Sequence, residues 1–390
     1  MAANGADRMS DGNRSRPRRG MLALALGAAL CGAPLAGAAA ADAGGFLETI
    51  HHHVTLTSSV PENGDQNPYA IVVAPVSAGV IVKDDVLVDN FNDSTNLQGL
   101  GTTIVIYRPS TKKMLLFAKL PRNLAGCPGG VGLSTAMAML KSGWVIVGST
   151  PSNDGTTRTK GNGCLVLIDS QGKIAGTFAD ANINDPWGNM AVIDNGTSAT
   201  LFVSNAGFGV GPPEGEPPVV NQATVLRIEL SIPEGKPPVI TKETVIASGL
   251  GAQADAGVFL IGPTGLCLAR DNTTLYVSDA IGNRIIAIPE ATTRTTSAEE
   301  LREVTKEGFM RRPLAMAMAP NGHLLVNNAL NGQVVEIDPE SGKQLYAQWI
   351  DNDKAQTPPG NGDLFGIAMT PAGDGFYYVE DDVNTLVLAR

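Results

Sequence analysis

Short runs of alternating apolar and polar residues recur along most of this chain, separated by Gly, Asn, Asp and Pro. The stretch LYVSDAIGNRIIAIP, residues 275 to 289, is typical: a strand-like LYVSD, a tight polar turn and a second strand-like RIIAIP. Period-two alternation with β-branched residues, bounded by turn residues, is the signature of short β-strands. The pattern therefore predicts an all-β protein.

The runs are organised into six similar units. The units begin at Pro68 (PYAIVVAP), Ser134 (STAMAML), Pro186 (PWGNMAV), Pro263 (PTGLCLA), Pro313 (PLAMAMAP) and Leu364 (LFGIAMTP). Each holds about four short strands, and units of this length bury their faces against neighbouring units when the ring closes. We predict a six-bladed β-propeller of four-stranded antiparallel blades over residues 46–390.

The two ends of the predicted ring complement each other. The last unit stops soon after TLVLAR, one strand short, and the segment HHHVTLTSS (51 to 59) has strand character before the first unit. We therefore predict that this N-terminal strand completes the final blade and closes the ring.

Two segments interrupt the repeat. The third unit carries PPEGEPPVV (212 to 220) and IPEGKPPVI (232 to 240), which predict rigid loops flanking a strand. In the fourth unit, Ser297 and Glu300 have the spacing of a helix capping box, which predicts a short surface helix.

The N-terminus has the features of an export signal. Several arginines precede the apolar run MLALALGAAL and the small-residue stretch GAAAADA, so residues 1–41 are predicted to be a cleaved signal peptide and the mature chain to be periplasmic or secreted. Arg18-Arg19 resembles the twin-arginine motif, and both that route and the general export route remain open. The apolar run is too short to span a bilayer in the mature protein.

Charge and cysteine content narrow the partners. The whole chain has a formal net charge of -10, and an acidic chain without a basic run repels phosphate backbones and anionic lipid. Nucleic acid and membrane surfaces are therefore not expected partners. In an oxidising compartment Cys127 and Cys164 are candidates for a disulfide, whereas Cys267 lies in an apolar strand and is predicted to be a buried thiol.

The patterns PTGLCL, LYVSD and NRIIAIP resemble the NHL-type repeats of six-bladed propellers. The superfamily also includes gluconolactonase, strictosidine synthase-like and streptogramin lyase-like proteins, and the resemblance covers nearly all of the mature chain. It implies a fold more than a function, because such rings include lactonases, lyases and binding scaffolds.

The superfamily's metal-dependent lactonases hold a calcium-type ion at the channel mouth with Glu, Asn and Asp. The matching second positions of the units are Tyr69, Thr135, Trp187, Thr264, Leu314 and Phe365. None of them is a carboxylate or amide, and hard cations need oxygen ligands. No cofactor is therefore predicted with confidence, and Ca²⁺ is the one candidate. The same ring is expected either to enclose an apolar ligand or to plug the channel.

Histidine chemistry has little support. The lyase relatives that use histidine-bound zinc need imidazoles from several blades, and beyond His51, His52 and His53 only His323 is present. His323 lies in the turn PNGH and is predicted to be solvent-exposed. His51 and His53 would share one face of a strand, where they could bind a transition metal adventitiously.

Polar residues end the second strand of each of the six units. They are Asp89 and Asn90, Ser149, Asn205, Asp279, Asn328, and Glu380 with Asp381. One interpretation is a ligand surface around the mouth, with a cation near Asp185, Asn189 or the Asp351–Asp353 loop; the other is that these side chains hold turns by bonding backbone amides.

Two functions remain open. The first is an exported, non-catalytic propeller that recognises a protein, glycan or small molecule through its loop-rich face. The alternative is a diverged metal-dependent lactonase or lyase. The predicted ligand-binding residues at the channel mouth are Tyr69, Asp89, Asn90, Asp185, Trp187, Asn205, Asp279, Asn328, Phe365, Glu380 and Asp381. No catalytic residue is assigned.

Overall fold

A computed structural model describes residues 44–298 and 300–390, and the predicted export signal lies outside these residues.

The first strand is β1 (His53–Ser58). Blade one follows with β2 (Gln66–Val73), β3 (Val86–Asn92), β4 (Thr103–Arg108) and β5 (Lys113–Lys119). Blade two has β6 (Leu133–Met139), β7 (Val145–Ser149), β8 (Cys164–Ile168) and β9 (Ile174–Phe178). Blade three has β10 (Ala191–Asp194), β11 (Ser198–Asn205), β12 (Val220–Ser231), β13 (Val239–Asp255) and β14 (Phe259–Ile261).

The remaining blades repeat the same order. Blade four has β15 (Pro263–Leu268), β16 (Leu275–Asp279), β17 (Arg284–Ile288) and β18 (Arg302–Lys306). Blade five has β19 (Pro313–Met318), β20 (Leu324–Asn328), β21 (Gln333–Ile337) and β22 (Gln344–Trp349). Blade six has β23 (Leu364–Met369), β24 (Phe376–Glu380), β25 (Thr385–Ala389) and β1. The predicted six-bladed all-β propeller is confirmed, with an additional short strand in blade three. Of two single-turn 3₁₀ helices, Leu47–Thr49 precedes β1 and Thr157–Thr159 lies between β7 and β8.

The ring is closed by strands from both ends of the chain. β1 pairs antiparallel with β25, with His53 opposite Ala389 and Ser58 opposite Thr385. The N-terminal strand therefore occupies the outer position of blade six, as the sequence predicted. β1 and β25 lie near opposite ends of the described chain, so their backbone hydrogen bonds join the first and last parts of the ring.

The core lies between the blades. Separate clusters of buried apolar side chains fill the interfaces between blades one and two, two and three, three and four, four and five, and five and six. A further cluster joins blades six and one and extends into the central channel. Each blade thus buries both of its faces, which accounts for strands such as β7 that are buried at every position.

Blade three carries the predicted loops, and blade four departs from the prediction. The Pro-rich loops flank β12, as expected. The helix predicted from Ser297 and Glu300 is wrong, because the described residues there form irregular structure that leads into β18. So short a helix is marginal in water, whereas pairing with β17 satisfies the backbone groups of β18.

The disulfide considered from the sequence is present. Cys127 and Cys164 form a disulfide with a Cα–Cα distance of 5.2 Å. It ties the connection between β5 and β6 to the first residue of β8. Cys267 is a free, buried thiol, as predicted.

A buried carboxylate anchors the chain ahead of β1. Glu336 has 0% exposure and accepts hydrogen bonds from the backbone amides of Phe46 at 2.8 Å and Leu47 at 2.9 Å. His323 Nδ1 lies 2.7 Å from Glu336 Oε1. The His323 side chain is only 15% exposed, so the prediction that it is solvent-exposed is wrong; the ring lies against this buried carboxylate.

Among the described residues, no helix has the length and apolar character needed to cross a membrane.

Candidate functional site

Aromatic side chains fill one section of the central channel, and we call them the aromatic plug. Its members are Tyr69, Phe91, Trp187, Phe259 and Phe365. The ring centroids of Tyr69 and Phe365 are 4.0 Å apart, and those of Tyr69 and Phe91 are 4.9 Å apart. Trp187 stacks on Phe259 at 6.1 Å. Every member is buried, which agrees with the plug interpretation for the second-position residues Tyr69, Trp187 and Phe365.

The repeat itself places these rings in the channel. In most blades the pairing of the innermost strand is interrupted just after its first residue, as between Leu364 and Ile367. Gly366 lies in this interruption, and a Cβ atom there would lie 2.5 Å from the carbonyl oxygen of Tyr69 in the neighbouring blade. The absence of a side chain at Gly366 lets the two innermost strands approach, and the preceding Phe365 packs into the plug.

Two plug members could not be found from the unit register. Phe91 lies in β3, directly after the polar residues Asp89 and Asn90. Phe259 has a φ of +69°, which is unusual for a bulky residue. Its side chain is nevertheless fully buried against Trp187 and Phe91. The packing of this ring in the channel offsets the backbone strain at that position.

An apolar pocket of about 60 Å³ adjoins the plug. Its walls include Trp187, Leu260, Leu314 and Phe365. The residues of its lining with polar side chains are Tyr69, Thr264, Arg312 and Asn361. Thr264 Oγ1 donates a hydrogen bond to Gly262 O at 3.0 Å, so this hydroxyl is engaged within the protein.

Two side-chain amides, the half-buried Asn283 and the buried Asn328, fix the loop that carries Arg312. The backbone amide of Arg312 donates to Asn283 Oδ1 at 2.9 Å, and that of Arg311 donates to Asn328 Oδ1 at 2.9 Å. Arg312 has a φ of +59°, and these bonds hold it in that conformation. The predicted site residue Asn328 therefore acts on the pocket indirectly, through the backbone of this loop.

The Arg312 side chain is the cationic group of the pocket wall. Its nearest ion-pair contact is Asp255 Oδ2, 3.8 Å from Nη1 and beyond hydrogen-bonding distance. Burial lowers the pKa of the guanidinium, and the charge of Asp255 partly opposes this effect. Within residues 44–298 and 300–390, no hydrogen bond of the protein uses the Arg312 side chain. Its donors remain available to a ligand.

Three of the other predicted residues form hydrogen bonds with the backbone of the protein itself. Asn90 Nδ2 donates to Ser59 O at 3.1 Å, Asn205 Oδ1 accepts from the amide of Asn184 at 3.1 Å, and Asp279 accepts from the amide of Gly282 at 2.9 Å. Asp279 also pairs with Arg284 Nε at 2.8 Å. Asp279 thus bonds a backbone amide within its own turn, whereas Asn90 and Asn205 bond the backbone of segments that are distant in sequence.

Asp89 and Asp185 are fully buried acids in different surroundings. Burial raises the pKa of Asp89 to about 8, although its Oδ1 accepts a hydrogen bond from the Ala70 amide at 2.7 Å. Burial also raises the pKa of Asp185 to about 6, with Lys160 Nζ only 2.8 Å from Oδ2. The cation beside Asp185 is therefore the Lys160 ammonium, which fills the place considered for a metal.

Asn189, also considered near a cation, bridges two blades instead. Its Nδ2 donates to Leu266 O at 2.8 Å, and its Oδ1 accepts from the Met316 amide at 3.2 Å. The side chain thus links the innermost strands of blades four and five from its position in blade three. Its one side-chain oxygen, Oδ1, is therefore already used as a hydrogen-bond acceptor.

The last two predicted residues belong to an acidic corner of blade six. Burial raises the pKa of Glu380 to about 7, and the charges of Asp351 and Asp382 add to this effect. Burial and the charge of Asp382 likewise raise the pKa of Asp381 to about 7. Three further aspartates, Asp351, Asp363 and Asp382, bring carboxylate oxygens within 4.8 Å of one another. Asp363 was not selected from the sequence, because this residue lies just before the sixth unit begins and outside the repeat positions that were compared.

The calcium position implied by the lactonase resemblance does not fit this chain. That position coincides with the second residues of the units, which here are plug and pocket-wall side chains such as Trp187, Leu314 and Phe365. Apolar side chains supply no oxygen ligands to a hard cation. No reaction step through an ion at that place follows.

The fold is shared with known six-bladed propellers. No family model matches the sequence, and no curated protein matches it. Among solved structures, a gluconolactonase from Xanthomonas campestris is 14% identical with a TM-score of 0.52, and the match covers 87% of this chain and 88% of that one. A luciferin-regenerating enzyme is 14% identical with a TM-score of 0.54, covering 87% and 95%. The calcium-binding protein regucalcin from Agrobacterium tumefaciens is 11% identical with a TM-score of 0.51, covering 85% and 92%. At these identities the likeness shows the fold alone.

Proposed function

We propose that this chain is an exported, non-catalytic propeller that binds a small apolar molecule in the pocket beside the aromatic plug. The ligand would carry a hydrogen-bond acceptor, for which a carboxylate is the best match. The single observation that carries the proposal is the Arg312 guanidinium, which is half-buried in a mainly apolar wall and donates no hydrogen bond to the described residues of the protein. An apolar pocket with one placed polar group is the usual form of a small-molecule site.

The wall gives affinity and the guanidinium gives orientation. Leu314, Trp187 and Phe365 offer apolar surface whose removal from water favours an apolar ligand. Arg312 presents several donors in a planar fork that matches a carboxylate. Because the loop beneath Arg312 is held by Asn283 and Asn328, the fork is positioned before the ligand arrives.

Export is supported by the disulfide. Cystines persist in oxidising compartments and are rare in reducing ones, and the Cys127–Cys164 pair is formed. The predicted signal peptide is consistent with this location, which remains part of the proposal.

Three near-isosteric probes test the pocket. Benzoate, benzamide and benzamidine share a phenyl ring and differ in charge, so calorimetric titration separates the apolar contribution from that of Arg312. We expect benzoate to bind about tenfold more tightly than benzamidine despite the protein's acidic charge, which corresponds to about 1.4 kcal/mol.

Two arginine variants complete the test. Arg312→Gln should remove the preference for benzoate, because a charge-assisted hydrogen bond is lost. Arg311→Gln is the matched control, since the Arg311 guanidinium donates to Gly308 O and Met310 O and does not line this pocket. Equal binding of the three probes, or equal effects of the two variants, would refute the role of Arg312.

The alternative function is a diverged metal-dependent lactonase. The observation in its favour is the acidic corner of Asp351, Asp363 and Asp382 next to Asn361 and Gly362 of the pocket lining. The gluconolactonase named above supplies the assay: hydrolysis of gluconolactone with and without a chelator. Turnover at enzyme-like rates that the chelator abolishes would replace the binding proposal with this one.

A further inference from the structure

Three aspartates from separate segments meet at one corner of blade six. Asp351 follows β22, Asp363 immediately precedes β23, and Asp382 lies in the turn between β24 and β25. Each offers a carboxylate oxygen, and these oxygens all lie within 4.8 Å of one another. The fold, and not local sequence, brings them together.

The corner contains oxygens that the protein leaves without partners. Asp363 is 4% exposed; its Oδ1 accepts from Gln356 Nε2 at 2.9 Å, but its Oδ2 is buried and has no hydrogen bond. Asp351 Oδ2 is in the same condition, although Asp351 Oδ1 accepts from the Asp353 amide at 2.9 Å. The carbonyl oxygen of Gln356, Oε1, is a third buried acceptor without a donor. Orphaned buried acceptors are costly, and the three side chains that carry them are neighbours, since Gln356 donates to Asp363 and the carboxylates of Asp351 and Asp363 converge.

Among the described residues, no cationic side chain forms an ion pair with this cluster. In the described part of the chain, the ion pairs include none of Asp351, Asp363 and Asp382. Burial and the neighbouring carboxylates accordingly raise the pKa of Asp363 to about 8. Such a set is stabilised either by retaining a proton or by binding a cation.

We propose that Asp351, Asp363 and Asp382 bind a hard divalent cation, with Ca²⁺ as the best match. Ca²⁺ takes several carboxylate and amide oxygens at about 2.3–2.6 Å in flexible geometry, whereas Mg²⁺ demands a near-ideal octahedron. The orphaned oxygens of Asp351, Asp363 and Gln356 are the ligand type that such an ion needs. The site is separate from the second-position ring that the superfamily's lactonases would use, and it does not depend on whether the pocket binds a small molecule.

Calcium titration of the metal-free protein tests the site. The chain is purified, stripped with a chelator that is then removed, and titrated with CaCl₂ and with MgCl₂ by calorimetry at mildly alkaline pH. We expect one Ca²⁺ site per chain and weaker Mg²⁺ binding. Asp363→Asn and Asp382→Asn should each weaken Ca²⁺ binding about tenfold or more, since each removes a charged ligand.

Asp374→Asn is the matched control, because it removes the same charge from the same blade. Asp374 is 51% exposed and lies in the turn between β23 and β24, where Oδ2 is 3.5 Å from Arg390 Nε. Wild-type affinity is expected for this variant. Absence of Ca²⁺ binding by the wild-type protein, or an equal loss in all three variants, would overturn the proposal.

A thermal melt separates a ligand role from a structural one. Ca²⁺ should raise the melting temperature of the wild type, because a ligand that binds only the folded state stabilises it. Asp363→Asn should melt no lower than the metal-free wild type, since it removes a like charge, yet it should lose the response to Ca²⁺. If Asp363→Asn fails to fold, the exposed Asp382→Asn carries the same test. A Ca²⁺ response retained in Asp382→Asn, or a metal-free Asp363→Asn protein that melts far below the wild type, contradicts the assignment.

Discussion

At the scale of single residues, Asp89 is the most informative group outside the pocket. It has 0% exposure, and its Oδ2 is buried without a hydrogen bond. Burial raises its pKa to about 8, so the folded protein keeps Asp89 as a neutral carboxylic acid near pH 7. An unfolded chain would ionise the same group near its usual pKa.

The sign of the pH effect follows from this difference. The folded state binds more protons at Asp89 than the unfolded state does. The contribution of Asp89 to stability is therefore fully present below about pH 4 and is lost progressively up to about pH 8. Asp89→Asn cannot ionise and should escape this loss. We expect its stability relative to the wild type to improve by about 1 kcal/mol per pH unit across that window.

Urea unfolding at several pH values measures this prediction. The informative quantity is how the difference in unfolding free energy between the two proteins changes with pH. The substitution also alters the hydrogen bonds at this position, but that contribution does not depend on pH. Glu234→Gln, an exposed carboxyl in a Pro-rich loop, is the control and should show little slope. A pH-independent difference between wild type and Asp89→Asn would show that Asp89 is ionised in the folded protein.

At the scale of elements, the approach of neighbouring innermost strands depends on Gly366. A Cβ atom at this position would lie 2.5 Å from Tyr69 O, closer than real Cβ contacts. Gly366→Ala should therefore lower the free energy of unfolding by about 1–3 kcal/mol, the usual effect of overpacking. Thermal or urea unfolding measures it.

Gly211→Ala is the matched control for this substitution. A Cβ atom at Gly211 meets nothing within 4 Å, so the change should be neutral or slightly stabilising. Equal stability of the two alanine variants would mean that the innermost strands can separate without loss, and the explanation for the small residue at Gly366 would be wrong.

The same elements show how far sequence patterns reach. Period-two alternation and the unit register were enough to predict the blades, the closing strand β1, and Tyr69, Trp187 and Phe365 in the channel. They could not find Arg312 or Phe259, because both have left-handed backbone conformations in or beside loops that side-chain periodicity does not describe. Other misses have tertiary causes: His323 is held by Glu336 from the next strand, and β17 captures the segment predicted as a helix.

At the scale of the whole molecule, the ring depends on its closing strand. β1 covers the edge of β25 and contributes Leu56 to the cluster between blades six and one. A chain that begins at residue 59 should expose this edge and part of that core. We expect a lower melting temperature and self-association, because uncovered strand edges pair with other chains.

Light scattering after gel filtration, together with a thermal melt, checks the truncated chain. A chain that begins at residue 44 retains β1 and is the control for loss of the leader. If the chain lacking β1 stays monomeric and melts like this control, closure by the N-terminal strand contributes nothing to stability.

The central claim is that the pocket beside the plug is where a ligand binds, and Trp187 reports on it directly. Trp187 is in the pocket wall, whereas Trp144 and Trp349 are not in that lining. In a Trp144→Phe, Trp349→Phe protein, Trp187 is the remaining tryptophan of the chain. Titration with benzoate should then change its fluorescence saturably, with the dissociation constant found by calorimetry and with loss of the response in Arg312→Gln. Calorimetric binding without any change at Trp187 would place the ligand elsewhere and contradict the account.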